Sequence, residues 1–247
     1  MIAILACRRP RCLAVCLASI RAFNGKWIEQ VCVFDNGAIN PEIQNVANLY
    51  EVEYQLIKTT GSGRSRANAA RAKIKDIFLE RNQSEPIFFV DEDVVFGPNA
   101  FTMMNKARLV GEYNLLCGIH LRRTSARGRP VFVAEYTFRP LTRMAEAFWL
   151  TTRKTILDYE HSWIPNVGFF KAVVKGGGKM AFLEGVPVQH IGASCPTISR
   201  HIPTEHMLLR DQDKGGNPIQ PLPEYEIDFA NPNFEEIEKF CNERKEE

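Results

Sequence analysis

Nothing in the 247-residue sequence is long and apolar enough to cross a bilayer, although 45% of its residues are hydrophobic. The chain does not open on a basic segment followed by an apolar one. Its first apolar run starts at Ile2, which predicts a cytoplasmic protein without a secretory signal. Seven cysteines, at positions 7, 12, 16, 32, 117, 195 and 241, include no CxxC pair. The i,i+4 spacing of Cys12 and Cys16 suits two small apolar residues on a helix as well as two ligands. The set therefore reads as reduced, buried thiols rather than a thiolate metal site. Charge of one sign is also scarce. A net charge of +2 excludes a global polyanion-binding signal and leaves only local patches to weigh. No internal repeat occurs.

What is present is a regular alternation of patterns. "IAILAC" (2–7) reads as a fully buried strand, and the next segment places Leu13, Cys16, Leu17 and Ile20 on one helical face, with Pro10 suited to the helix start. "QVCVFDNGA" is a second buried strand ending in a turn signal. Ile43, Val46, Ala47 and Tyr50 mark a second helix, and "VEYQLIKTT" alternates as a third strand. After "GSG" comes a basic helix with Ala67, Ala70, Ile74, Ile77 and Phe78 inward, and "PIFFV" is a fourth strand. The order predicts an α/β fold with a mostly parallel, Rossmann-like sheet flanked by helices. The second half is less regular. It reads as strands at "YNLLCGIHL" and "RPVFVAEYTF", a strand passing into a helix at "FWLTTRKTILDY", and a helix, glycine stop and strand ending at His190. The expected organisation is a domain over 1–194, with a nucleotide-binding half (1–98) and an acceptor-binding half (99–194). A C-terminal lid or loop with a terminal helix follows over 195–247.

Three adjacent acids, Asp91, Glu92 and Asp93, follow the fourth strand, where water should be scarce. In an extended chain Asp91 and Asp93 point to one side and Glu92 to the other. Two close carboxylates repel, so the pair raises a pKa or demands a cation, and oxygen ligands favour Mg²⁺ or Mn²⁺. The competing reading is a polar turn capping the strand. Ligands of such sheets bind at the carboxyl ends of the strands, where Asp35 also stands.

Together "IAILACRRPRCLAVCLASI", "VCVFDNGA", "GSGRSRANAARAK" and "PIFFVDEDVVF" resemble the nucleotide-sugar glycosyltransferases of the GT-A fold, closest to family 2, over about residues 2–192. The resemblance implies a Mn²⁺- or Mg²⁺-dependent enzyme that takes a sugar from a nucleoside diphosphate donor, expected to be a UDP-sugar. Asp91 and Asp93 match the family's DxD, whose metal bridges the donor diphosphate, with Glu92 between them on the donor side. Asp35 matches an acid that contacts the nucleobase or ribose; its alternative role is an Asx turn with Asn36 and Gly37. Arg64, Arg66 and Asn68 stand at a helix start suited to an anion, and Arg8 is a nucleotide-rim candidate. Each has a solvated surface position as its alternative. His190 resembles a histidine that completes the metal shell, with His201 and His206 as substitutes.

The resemblance departs at the catalytic base. Inverting members carry an acid just before the helix that here begins "NVGFFKAVV", and Pro165 and Asn166 stand there. Asp158 and Glu160 are the candidate bases, with His161 beside them, unless the enzyme is retaining. Arg122, Arg123, Arg127 and Arg129 form a basic run that reads as a solvated loop or as a contact for an anionic acceptor: a glycan, a phosphorylated lipid or a modified nucleic acid. Two other functions compete. A nucleotidyltransferase would want a glycine-rich loop after the first strand, where "CRRPRC" has none. A non-catalytic nucleotide-binding module would explain the missing acid.

Overall fold

The computed structural model describes residues 1–7, 9–37, 41–60, 63–81, 86–119, 129–141, 147–160, 163 and 167–190. The expected C-terminal loop and helix (195–247), Arg8, Arg122, Arg123, Arg127, His161, Pro165, Asn166, His201 and His206 lie outside the described residues, as do the side chains of Arg64 and His190.

The first half folds as its periodicities predict. Strand β1 (Ile2–Ala6) leads to helix α1 (Pro10–Phe23), a short 3-10 helix (Gly25–Gln30) and β2 (Val31–Asp35). Then come α2 (Pro41–Leu49), β3 (Glu53–Leu56), α3 (Gly63–Glu80) and β4 (Ile87–Asp91). All three strand pairings here are parallel: Ile2 lies opposite Val31 and also opposite Phe88, and Cys32 opposite Glu53. Pro10 sits in the first turn of α1, where a missing N–H leaves no bond unmade.

Beyond β4 the sheet departs from the mostly parallel expectation. Nine strands are ordered β3-β2-β1-β4-β9-β6-β10-β8-β7, where β6 is Leu115–Cys117, β7 Val131–Val133, β8 Tyr136–Pro140, β9 Phe148–Thr151 and β10 Met180–Leu183. Strand β9 runs against both β4 and β6, β8 against β10, and β7 against β8, while β6 and β10 are parallel. The sheet is therefore mixed. For β7 and β8 the physical reason is connection length: "RPVFVAEYTF" is a hairpin rather than one strand, turning at Ala134 with φ of 51°, and short links can only join antiparallel strands. The segment after the acids also holds two unanticipated elements. These are β5 (Val94–Phe96), paired antiparallel with β11 (Val188–His190), and α4 (Ala100–Gly111).

Alternating side chains divide the interior into two cores. Ile2, Ile4, Val33, Phe88 and Val90 face α1, α2 and α4. Ala3, Phe34, Ile87, Phe89 and Trp149 face α3, α5 (Arg153–Asp158) and α6 (Val167–Lys175). The central strands are apolar on both sides because helices cover both. Ala67 and Ile77 are the exceptions among the expected inward residues of α3, being only partly buried. Phe148 joins the two halves of the chain, its ring 5.0 Å from Phe96 and 5.5 Å from Phe101. A Cβ on Gly118 would come within 2.5 Å of it, so glycine is required there for the close approach. Since Phe148 is fully buried, F148A should cost about 3–5 kcal/mol of stability, read as a lower urea midpoint at unchanged slope.

Candidate functional site

The chain passes from β1 outward to β2 and β3, then crosses back to place β4 on the other side of β1. The strand order thus reverses between β1 and β4, and the crevice beyond their carboxyl ends is the position where open α/β sheets bind ligands. Asp91 ends β4 and Cys7 follows β1, so the three acids stand at that reversal.

Their geometry differs from the extended-chain expectation. The chain turns at Glu92 and Asp93, and the acids divide between the two faces of the sheet. Asp91 points toward α3, where Arg71 Nη2 donates to its Oδ1 at 2.6 Å. Glu92 and Asp93 instead share Arg9, the residue before α1. Arg9 Nε donates to Glu92 Oε1 at 2.5 Å and Nη1 to Asp93 Oδ2, while the Cys7 N–H donates to Glu92 Oε2 at 2.7 Å. Glu92 and Asp93 are buried, with side chains 1% and 5% exposed. The turn is fixed from behind. Ser19 Oγ accepts the Phe96 N–H at 3.1 Å, holding β5 on α1, and His190 lies opposite Val94 in the β5–β11 register.

Burial dominates the electrostatics here. It pushes the Glu92 carboxyl up to about 7, against the lowering effects of Arg9 and the Cys7 N–H. For Arg9 burial alone would lower the pKa, but Asp93 and Glu92 together raise it. Burial also pushes up the Cys16 thiol behind them, aided by Asp93 and Glu92. The five described cysteines (7, 12, 16, 32 and 117) are free thiols.

Asp35 and Asn36 form the second wall. Asp35 is fully buried, and its carboxylate accepts the Gly37 N–H at 2.7 Å, the Asx turn that the sequence allowed, and the Tyr54 hydroxyl at 3.0 Å. A Cβ on Gly37 would lie 2.8 Å from Asp35 Oδ1, so the turn needs glycine. Asn36 ties three elements together. Its N–H donates to Ala6 O, its Nδ2 donates to Arg66 O at 3.3 Å, and its Oδ1 accepts from Thr59. Arg66 and Asn68 sit in the first turns of α3, beside this corner. Arg66 Nε is buried and, among the described residues, finds no hydrogen-bond partner.

The two candidate bases are placed differently. Glu160 accepts from Lys75 Nζ at 2.8 Å, and Lys75 follows Arg71 by one turn of α3. Glu160 is therefore anchored about 6 Å further along the same helix than Asp91. Asp158 is paired with Lys154 in an exposed i,i+4 bridge. It follows β9, whose last residue Thr151 lies opposite Ile87 at the start of β4, so α5 begins at the far edge of the sheet from Asp91.

Arg9 and Arg71 were not singled out from the sequence, nor were Tyr54 and Thr59. A signal existed for Arg71. Asn68, Arg71 and Lys75 recur at i, i+3, i+7 on α3, and all three are buried.

Glu92 makes the fold sensitive to pH. Its folded state holds a proton more tightly than the unfolded chain, whose carboxyl titrates near 4.5. The stability it contributes is complete below that pH and is lost as pH rises through about 7, by on the order of 3 kcal/mol. Denaturant titrations in EDTA from pH 4.5 to 8 should show this decline in the wild type and its absence in E92Q. A parallel pH dependence in both would remove Glu92 as the cause.

No protein-family model matches this chain, and no curated protein matches its sequence.

Proposed function

We propose that the protein is a metal-dependent glycosyltransferase that moves a sugar from a nucleoside diphosphate sugar to an acceptor hydroxyl. The observation that carries this reading is the meeting of Asp91, Glu92 and Asp93 with Arg9 and Arg71 across the β1/β4 reversal. A nucleotidyltransferase is less well supported, since Cys7, Arg9 and Pro10 occupy the turn where its glycine-rich loop would stand.

A divalent cation fits the chemistry of this edge. Three carboxylates face two guanidinium groups at this edge. Oxygen donors from Asp91 and Asp93 suit Mn²⁺ or Mg²⁺. Among the described residues no three His, Cys, Asp or Glu side chains stand together as a complete ligand set. Asp91 and Asp93 are held on opposite faces of the sheet by Arg71 and Arg9, so one metal would need those ion pairs to open before both aspartates could hold it. Diphosphate oxygens and His190, whose backbone is in register with the residue after Asp93, are the further ligands the reading expects. When bound, the metal would stabilise the departing diphosphate as a Lewis acid.

The chain's own residues would do the rest. Arg66, whose Nε finds no partner among the described residues, Asn68 and the first N–H groups of α3 would hold phosphate oxygens. Asp35 and Asn36 would shape the nucleoside wall, and a uridine nucleotide is the expected donor. Glu160 is the better candidate than Asp158 to take a proton from the acceptor hydroxyl, because its Lys75 anchor shares the buried face of α3 with Arg71.

Thermal unfolding against UDP, GDP, CDP and ADP, each with Mn²⁺ or EDTA, tests the reading. One nucleotide should stabilise the protein only with Mn²⁺, by about 2.7 kcal/mol at a hundred times its Kd. The D91A/D93A variant should lose that response while remaining folded. Nucleotide binding that persists unchanged in the variant would overturn the metal assignment.

A further inference from the structure

The nine-stranded sheet ends in β3 on one side and β7 on the other, and among the described residues no strand lies beyond either. The two edges differ in chemistry. β3 carries Glu53, held by Arg81, and charge on an edge strand discourages further pairing. β7 is Val131, Phe132 and Val133, with Phe132 74% and Val131 41% exposed. The direction of its backbone groups follows from the register. The Glu184 N–H donates to Thr137 O, so the backbone of Thr137 faces β10 and that of Tyr136 and Phe138 faces β7. Val131 and Val133 therefore bond to Phe138 and Tyr136. Phe132, opposite Thr137, turns its N–H and C=O outward.

We propose that two copies of this chain join edge to edge through β7, making one continuous sheet across a two-fold axis at Phe132. The segment is complementary to itself. In an antiparallel pair centred there, the two Phe132 residues exchange both hydrogen bonds, and their rings form a cross-strand aromatic pair. Val131 of one copy lies opposite Val133 of the other. Beyond them the Ala134 N–H meets the carbonyl of Pro130, a residue with no N–H of its own to satisfy. Charge decides the occupant. Arg129 and Glu135 are both exposed and each stands three residues from Phe132, so the two-fold brings Arg129 of one copy to the turn carrying Glu135 of the other. Hydrogen bonds, ring and charges thus all find their match in a second copy. The edge is short, so the dimer is a weak and reversible one. It is also separate from the acidic edge, since β9, β6, β10 and β8 lie between β4 and β7.

Sedimentation velocity of the full chain at rising concentration should show a monomer–dimer equilibrium. F132E sets two carboxylates face to face and should leave a monomer that melts at the wild-type temperature, because Phe132 is exposed. R129E and E135R should each weaken dimerisation about tenfold, since each brings like charges together at both ends of the pair. An equimolar mixture of R129E with E135R, and the double variant R129E/E135R, should recover it, because every contact is again between opposite charges. A wild type that stays monomeric at the highest soluble concentration overturns the proposal. So does a dimer that survives F132E, or a mixture of the two charge variants that fails to associate.

Discussion

The parallel pairing of β1 with β4 is the constraint on which the site depends. It places the end of an apolar strand, and three carboxylates with it, directly beside the start of α1. Acids at such an edge need compensation, which Arg9 gives Glu92 and Asp93 and Arg71 gives Asp91 from the other face. The turn at Glu92 and Asp93 follows from the same demand. An extended chain would leave Glu92 facing away from its neighbours, whereas the turn brings two acids to one guanidinium.

This arrangement is poor as a device for stability. Removing charges from water costs more than a surface pair returns, and apolar residues of similar volume would often serve the fold better. The two cores on either side of the sheet offset that cost. Trp149 stacks on Phe89 at 4.3 Å, and Phe88, Phe96, Phe101 and Phe148 form a second aromatic group behind the acids.

How much of this could be read from the chain depends on range. The β-α-β-α-β-α-β order was legible because each element announces itself by a local period, and Pro10, Asp35 and Asp91 fall where those periods placed them. The mixed sheet was not, because strand direction in the second half is set by which distant strand a short segment meets; nothing local to Phe148–Thr151 says that it runs against β4. Helix α4 was legible and overlooked, since Phe101, Met104, Ala107 and Gly111 are helically spaced and buried. For the site, the acids were visible and their partners were not. Arg9 and Arg71 meet them across sequence separations of 84 and 20 residues, and no local pattern encodes such a meeting.

The same distinction separates the two acidic walls. Asp35 is matched by the Gly37 N–H and the Tyr54 hydroxyl, short neutral donors that hold it wherever the turn goes. Burial, and then the Asp35 carboxylate, push the Tyr54 hydroxyl up to about 12, so that donor keeps its proton at any physiological pH. Such a wall is a frame. Asp91, Glu92 and Asp93 are matched chiefly by long cations, Arg71 from α3 and Arg9 from the connection before α1, with the Cys7 N–H as a further donor to Glu92. β2 thus ends in a frame of neutral donors, and β4 in an edge of paired charges.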